Sequence, residues 1–123
     1  MIYLISPYSS PDDRVRTRRW LDAEHYCAYA LRQGQPVFSP VVYCHTMAAI
    51  HKLPTDFGFW MQHNLDWLKS CAEARVLLVD GWAESTGVMR EIAEANDIGI
   101  PIRYIHDLSS GYFLHTSPLL HSK

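Results

Sequence analysis

The chain has 123 residues, 48% hydrophobic and 20% charged, which is enough apolar material for one compact domain over residues 1–123 and leaves little room for a second. Its formal net charge of -2 excludes a general nucleic-acid binder, which needs a Lys/Arg-rich face, and points to a small-molecule partner. Cys27, Cys44 and Cys71 are an odd count without CxxC spacing, so neither a disulfide framework nor a cysteine zinc site is indicated; no apolar run approaches the ~20 residues of a membrane span, and a cytoplasmic protein without a membrane partner is expected.

Met1 to Ile5 is an apolar opening followed by the turn-rich Ser6-Pro7-Tyr8-Ser9-Ser10-Pro11, a buried strand that ends in a loop. Ser10 before Pro11, with Asp12 and Asp13 behind it, starts a helix that Gly34 stops, so a helix is expected over roughly residues 11 to 33. Ala23, Cys27, Ala30 and Leu31 form its apolar stripe. Arg14, Arg16, Arg18 and Arg19 crowd its first half; most read as solvated, whereas Arg14, in the first turn, is placed to reach back over the mouth of the first strand. Pro36 to Pro40 reads as a short edge strand. Val41 to Pro54 shows no clear period and is expected to be a loop with one helical turn at most. Thr55 or Asp56 caps the next helix, in which Phe57, Trp60, Met61, Leu65, Leu68 and Cys71 keep helical spacing to about Ala72.

Arg75 to Val79 is a run of mostly branched apolar residues suited to a parallel strand buried on both faces, and Asp80-Gly81 ends it with turn chemistry. Ser85 is the N-cap of a helix in which Val88, Ile92 and Ala95 recur at helical spacing, with Glu91 about one and a half turns inside. Ile102 to Ile105 makes a fourth strand, and the tail over residues 106–123 reads as weakly structured or docked on a neighbour. Strands alternating with helices predict an α/β fold: a parallel sheet of four to five strands, order 2-1-3-4, covered on both faces in three α/β/α layers of flavodoxin-like (Rossmann-like) kind. In that order the helices after the first and third strands leave in opposite directions. The switch-point crevice then lies between Ser6–Ser10 and Asp80–Ser85, where a helix N-terminus offers free N–H groups to an anion.

Each candidate in that crevice has two readings. Glu91 is a carboxylate nucleophile or acid/base beside a site held by Ser85 and Gly87, or an ordinary exposed helix glutamate. Asp80 orients a substrate hydroxyl, or is a strand-end turn residue. Tyr3, Tyr8 and Trp82 stack on a base, or belong to the core. His45, His51 and His63 lack the tight spacing of a metal site, and no metal or other cofactor is expected; a metal-dependent hydrolase using His45, His51 and Asp56 is the less favoured alternative.

Tyr3-Leu4-Ile5-Ser6-Pro7-Tyr8-Ser9, then Gly34 before Val37-Phe38-Ser39-Pro40, then Ser85-Thr86-Gly87-Val88 with Glu91 and Ala95, resembles the nucleoside 2-deoxyribosyltransferase superfamily, which includes the deoxynucleoside 5′-monophosphate N-glycosidases. The closest resemblance is to a group of short bacterial proteins of undetermined function within it, marked by Asp56 to Trp60 and by Gly81-Trp82; it covers about residues 1 to 105. It implies a flavodoxin-like fold, a homo-oligomer with sites near subunit interfaces, and a glutamate nucleophile at Glu91. Where the transferases carry an aspartate for the sugar 5′-hydroxyl, the superfamily's nucleotide hydrolases carry a serine for a 5′-phosphate. Ser85 stands at that position, which leans towards a nucleoside monophosphate, with Ser9 and Arg14 completing the phosphate site. One departure is Asn64, aligned with a family aspartate that assists the glutamate. An amide hydrogen-bonds a hydroxyl but cannot take a proton, and Asp80 or Asp56 is the candidate substitute. The expected function is cleavage or exchange of an N-glycosidic bond, the alternative a non-catalytic nucleotide-binding module on the same fold.

Overall fold

The structure, a computed structural model, describes residues 1–119. Five strands and four helices follow one another as β1 (Ile2–Ile5), α1 (Asp13–Arg32), β2 (Val37–Phe38), α2 (Pro40–His51), α3 (Phe57–Lys69), β3 (Glu73–Leu77), α4 (Thr86–Ile98), β4 (Ile102–Leu108) and β5 (Gly111–His115). The strands form one sheet in the order β2-β1-β3-β4-β5. The first four run parallel in the expected order, and β5 adds to the outer edge antiparallel to β4.

Alternation along the strands divides the core between the two faces. Leu4 and Leu77 pack with Ala23, Tyr26 and Ala30 of α1 and Val41 and Cys44 of α2. Tyr3, Ile5 and Val76 pack with Leu65 and Leu68 of α3 and Val88 and Ala95 of α4. Helices therefore cover both faces of an almost wholly buried β1, which explains why that strand is apolar throughout rather than alternating. Among the described residues no helix is long and apolar enough to cross a membrane.

Three sequence expectations are corrected. The segment read as a loop from Val41 is helix α2, started by Ser39, whose hydroxyl accepts from the Val42 N–H at 3.1 Å, with Pro40 in the first turn. Val41, Cys44 and Ala48 form its buried face, so a helical period was present but sparse, and Ser39-Pro40 closes strand β2 and opens the helix at once. The strand placed at Arg75 to Val79 is shifted towards the N-terminus: Glu73 begins it because its carboxylate bridges Arg75 and Arg103, a polar reason that hydropathy does not show. After Leu78 donates to Ile105 O at 3.1 Å, Val79 N–H turns back to Leu77 O and the chain leaves the sheet. The tail from His106 is ordered strand as far as His115. β4 runs on to Leu108 and turns at Ser109-Ser110, and β5 returns so that Leu114 faces Ile105 and Tyr112 packs edge-on against Tyr26, ring centroids 4.9 Å apart. Residues 120–123 of the predicted tail lie outside the described residues.

Candidate functional site

At the carboxyl ends of β1 and β3 the sheet leaves a cavity of about 370 Å³. Ser6, Tyr8 and Ser9 reach it from the loop after β1, Asp56 and Asn64 from the start and middle of α3, and Ser85, Gly87 and Glu91 from α4 and its cap. These eight of the sequence-predicted residues share one space. Ser85 caps α4 by accepting from Val88 N–H at 3.2 Å, which leaves its O–H free to donate, while the N–H groups of Thr86 and Gly87 have no partner within the helix. Gly87 lets α3 close on α4, since a Cβ there would lie 3.1 Å from Phe57 Cδ1. Asp56 caps α3, accepting from Phe59 N–H at 3.1 Å, so its carboxylate is partly committed to structure.

Glu91 is the buried carboxylate of the cavity. It is 4% exposed, enters no ion pair among the described residues, and accepts one hydrogen bond, from the Tyr3 hydroxyl to Oε2 at 2.5 Å. Burial pushes its carboxyl up to about 8, with the Tyr3 bond pulling the other way. Burial, and then the neighbouring carboxylate, hold the Tyr3 phenol firmly protonated, so Tyr3 is a fixed donor behind Glu91 rather than a cavity wall. Asn64, 6% exposed, and Ser6, whose Oγ is buried with no hydrogen-bond partner among the described residues, complete the polar floor. An unsatisfied buried hydroxyl facing a cavity is a place where a ligand or water atom belongs.

Three expected residues fall outside the site. Arg14 is exposed, pairs with Asp12 at 3.2 Å and does not line the cavity. Asp80 is exposed in the turn that Trp82 N–H closes on Val79 O at 3.1 Å. Trp82 packs into the core with its ring 6.4 Å from Tyr104. The cation that does reach the cavity is Arg19: it donates to Ser9 O at 2.9 Å, and its guanidinium lies so close to Gly81 (φ 87°) that a Cβ there would overlap it. The sequence carried a signal for this. Counting back from buried Ala30, Tyr26 and Ala23 at helical spacing arrives at Arg19 and then Arg16, not at Arg14 or Arg18.

Pro40, Val41, Phe57 and Trp60 are the apolar side chains of the lining. Tyr8 joins it with its hydroxyl 2.7 Å from His45 Nδ1, and the His45 ring stacks on Trp20 at 4.9 Å. His63 stacks instead on Tyr43, and among the described residues no three His, Cys, Asp or Glu side chains converge as a metal site, so His45, His51 and Asp56 do not form the cluster a metal-dependent hydrolase would need.

An α/β protein with a buried carboxylate in a strand-end cavity is the class that fold and site define. Over residues 1–106 the chain matches the family described as Domain of unknown function (DUF1937), and it belongs to that family. The match includes every cavity residue. No curated protein matches the chain.

Proposed function

We propose that this protein cleaves or exchanges the N-glycosidic bond of a nucleoside 5′-monophosphate on a flavodoxin-like scaffold, with Glu91 as nucleophile. The observation that carries the reading is the Glu91 carboxylate, buried without a cation, held by one fixed donor, and lining the same cavity as an open helix N-terminus six positions earlier on the same helix. A carboxylate with its basicity raised by burial is a better nucleophile than a solvated one. In the forward step a Glu91 oxygen bonds to the anomeric carbon. The C–N electron pair leaves with the base, which takes up a proton, and water or a second base then resolves the glycosyl ester. Ser85, the Thr86 and Gly87 N–H groups and Arg19 supply the donors for a phosphate dianion. Arg19 takes the place given to Arg14 on sequence grounds. Asn64 serves as a hydrogen-bonding partner for a sugar hydroxyl. Assembly as a homo-oligomer is part of the reading, with exposed Tyr43, Ile50 and Phe59 on α2 and α3 as apolar surface for it.

Incubation with each nucleoside and nucleotide, followed by chromatography for free base, tests this beside Glu91→Gln. Base release that requires the 5′-phosphate and disappears in Glu91→Gln is expected. Nucleotide binding by both proteins with no base released by either assigns the cavity to a non-catalytic binding module, the reading that the Asn64 amide favours.

A further inference from the structure

The cavity is rich in negative charge and short of groups that give up a proton. Among the described residues its lining includes no histidine or lysine, and its basic side chain is Arg19. Asp56 and Glu84 are exposed carboxylates of the lining, and neither enters an ion pair among the described residues. Asp56, Phe57 and Trp60 stand together in the cap and first turn of α3, and Tyr8 adds a third aromatic side chain to the lining. The buried Ser6 hydroxyl, without a hydrogen-bond partner among the described residues, marks the space as one that a ligand completes. Unpaired carboxylates and aromatic rings together are the surroundings of a cation, which the ring faces attract and the carboxylates neutralise.

We infer that the nucleotide this cavity takes carries a positively charged base, of the pyridinium or N-alkylated purine class, so that the ligand is a zwitterion rather than a plain anion. A phosphate dianion on a neutral base brings only negative charge into a space where Asp56 and Glu84 already outnumber Arg19, whereas a cationic base offsets part of it. On the N-glycosidase reading above, departure of the base points the same way. A neutral purine or pyrimidine leaves with a proton, and the lining is poor in donors of one. Asn64 is an amide, burial pushes the Cys44 thiol up to about 12 and raises the Tyr8 phenol as well, and Glu91 is the nucleophile. A cationic base needs no donor. As a Glu91 oxygen bonds to the anomeric carbon, the C–N bond breaks and its electron pair cancels the positive charge on the ring nitrogen, so the base departs neutral. Water then adds to the anomeric carbon of the ester, frees the carboxylate and releases one proton to solvent. The Asn64 amide is no obstacle to that sequence.

The test compares charged and neutral members of matched pairs by equilibrium binding and by base release. The pairs are N7-methyladenosine with adenosine 5′-monophosphate, in ribose and 2′-deoxyribose forms, and nicotinamide mononucleotide with its reduced, uncharged form. The proteins are the wild type, Asp56→Asn, which keeps a good N-cap on α3, and Asn64→Asp, which adds a carboxyl able to hold a proton. In the wild type the charged member of each pair is expected to bind about tenfold tighter or more, and Asp56→Asn narrows that ratio by about threefold or more. Base release, taken relative to each ligand's rate without protein, is expected to favour the charged members in the wild type and to extend to adenine from the neutral ones in Asn64→Asp. Equal or tighter binding of the neutral members, a ratio that Asp56→Asn leaves unchanged, or equal acceleration of release for both members overturns the inference, and release from the neutral members then leaves the glycosidase reading standing. Tighter binding of the charged members with no base released by any of the proteins supports the inference and overturns the glycosidase reading. No binding of any ligand overturns both.

Discussion

Glu91 keeps a proton in the folded protein that it would give up in the unfolded chain. Between the ordinary glutamate value of 4.5 and about 8 the native state binds more protons than the unfolded state, so this residue makes stability fall as pH rises through that window. Glu91→Gln retains an acceptor for the Tyr3 hydroxyl and removes the charge. It is expected to raise stability at pH 8.5 by roughly 4–5 kcal/mol and to make little difference near pH 4.5, as read from denaturant unfolding at the two pH values. The same proton governs catalysis in the reading above: a nucleophile must be ionised, so kcat/KM rises with pH and levels off above about 8. A limb that falls instead through that value identifies Glu91 as an acid. Tyr3→Phe removes the one hydrogen bond that favours the carboxylate, and the limb is expected to move up by about one to two pH units. At this scale the sequence spoke unevenly. Glu91 and Ser85 were legible because each sits at a defined place on a strongly patterned helix, and Asn64 only through the family resemblance. Burial of Glu91 was not, because a glutamate on a helix is as often exposed, and only the closeness of Tyr3, 88 positions away, shows which it is.

Elements with strong end signals were found and those with weak ones were missed. α1, α3 and α4 each begin at the predicted cap or within a turn of it, and the positive-φ glycines Gly34 and Gly99 mark where α1 and α4 have stopped. α2 was missed because Ser39-Pro40 serves two elements, and β5 because a two-residue turn of serines does not stand out in a polar tail. The loop between β3 and α4 is where an element-scale change reaches the site. Gly81→Ala places a methyl group where the Arg19 guanidinium lies and forces a side chain on a φ of 87°, so it is expected to lower stability by about 1–2 kcal/mol. It should also weaken binding of a nucleoside monophosphate far more than that of the unphosphorylated nucleoside, a difference that titration calorimetry resolves. Equal weakening of both would separate Arg19 from the phosphate.

Across the whole molecule the two ends of the sheet are built oppositely. At the carboxyl end polar groups are left unpaired, whereas at the other end Arg75, 5% exposed, is held by Glu73 at 2.8 Å, Tyr26 at 2.9 Å and Gln35 at 3.1 Å, with Arg103 sharing Glu73. A buried pair is hurt most when one charge is left behind. Glu73→Ala, which strands the Arg75 guanidinium, is therefore expected to cost about 3 kcal/mol or more and Arg75→Met clearly less, with the cavity at the carboxyl end intact in both; urea midpoints rank them. The order of the parallel strands was readable from alternation of elements alone, but this network was not, since its members are scattered from Tyr26 to Arg103. α4 joins two of the features at the carboxyl end: its open N-terminus and the protonated Glu91 are about 9 Å apart along one helix axis. An anion seated at the first lowers the tendency of the second to ionise, so near pH 8 binding draws a proton from solution. The heat of binding measured at that pH will consequently track the ionisation enthalpy of the buffer, and the slope counts the protons.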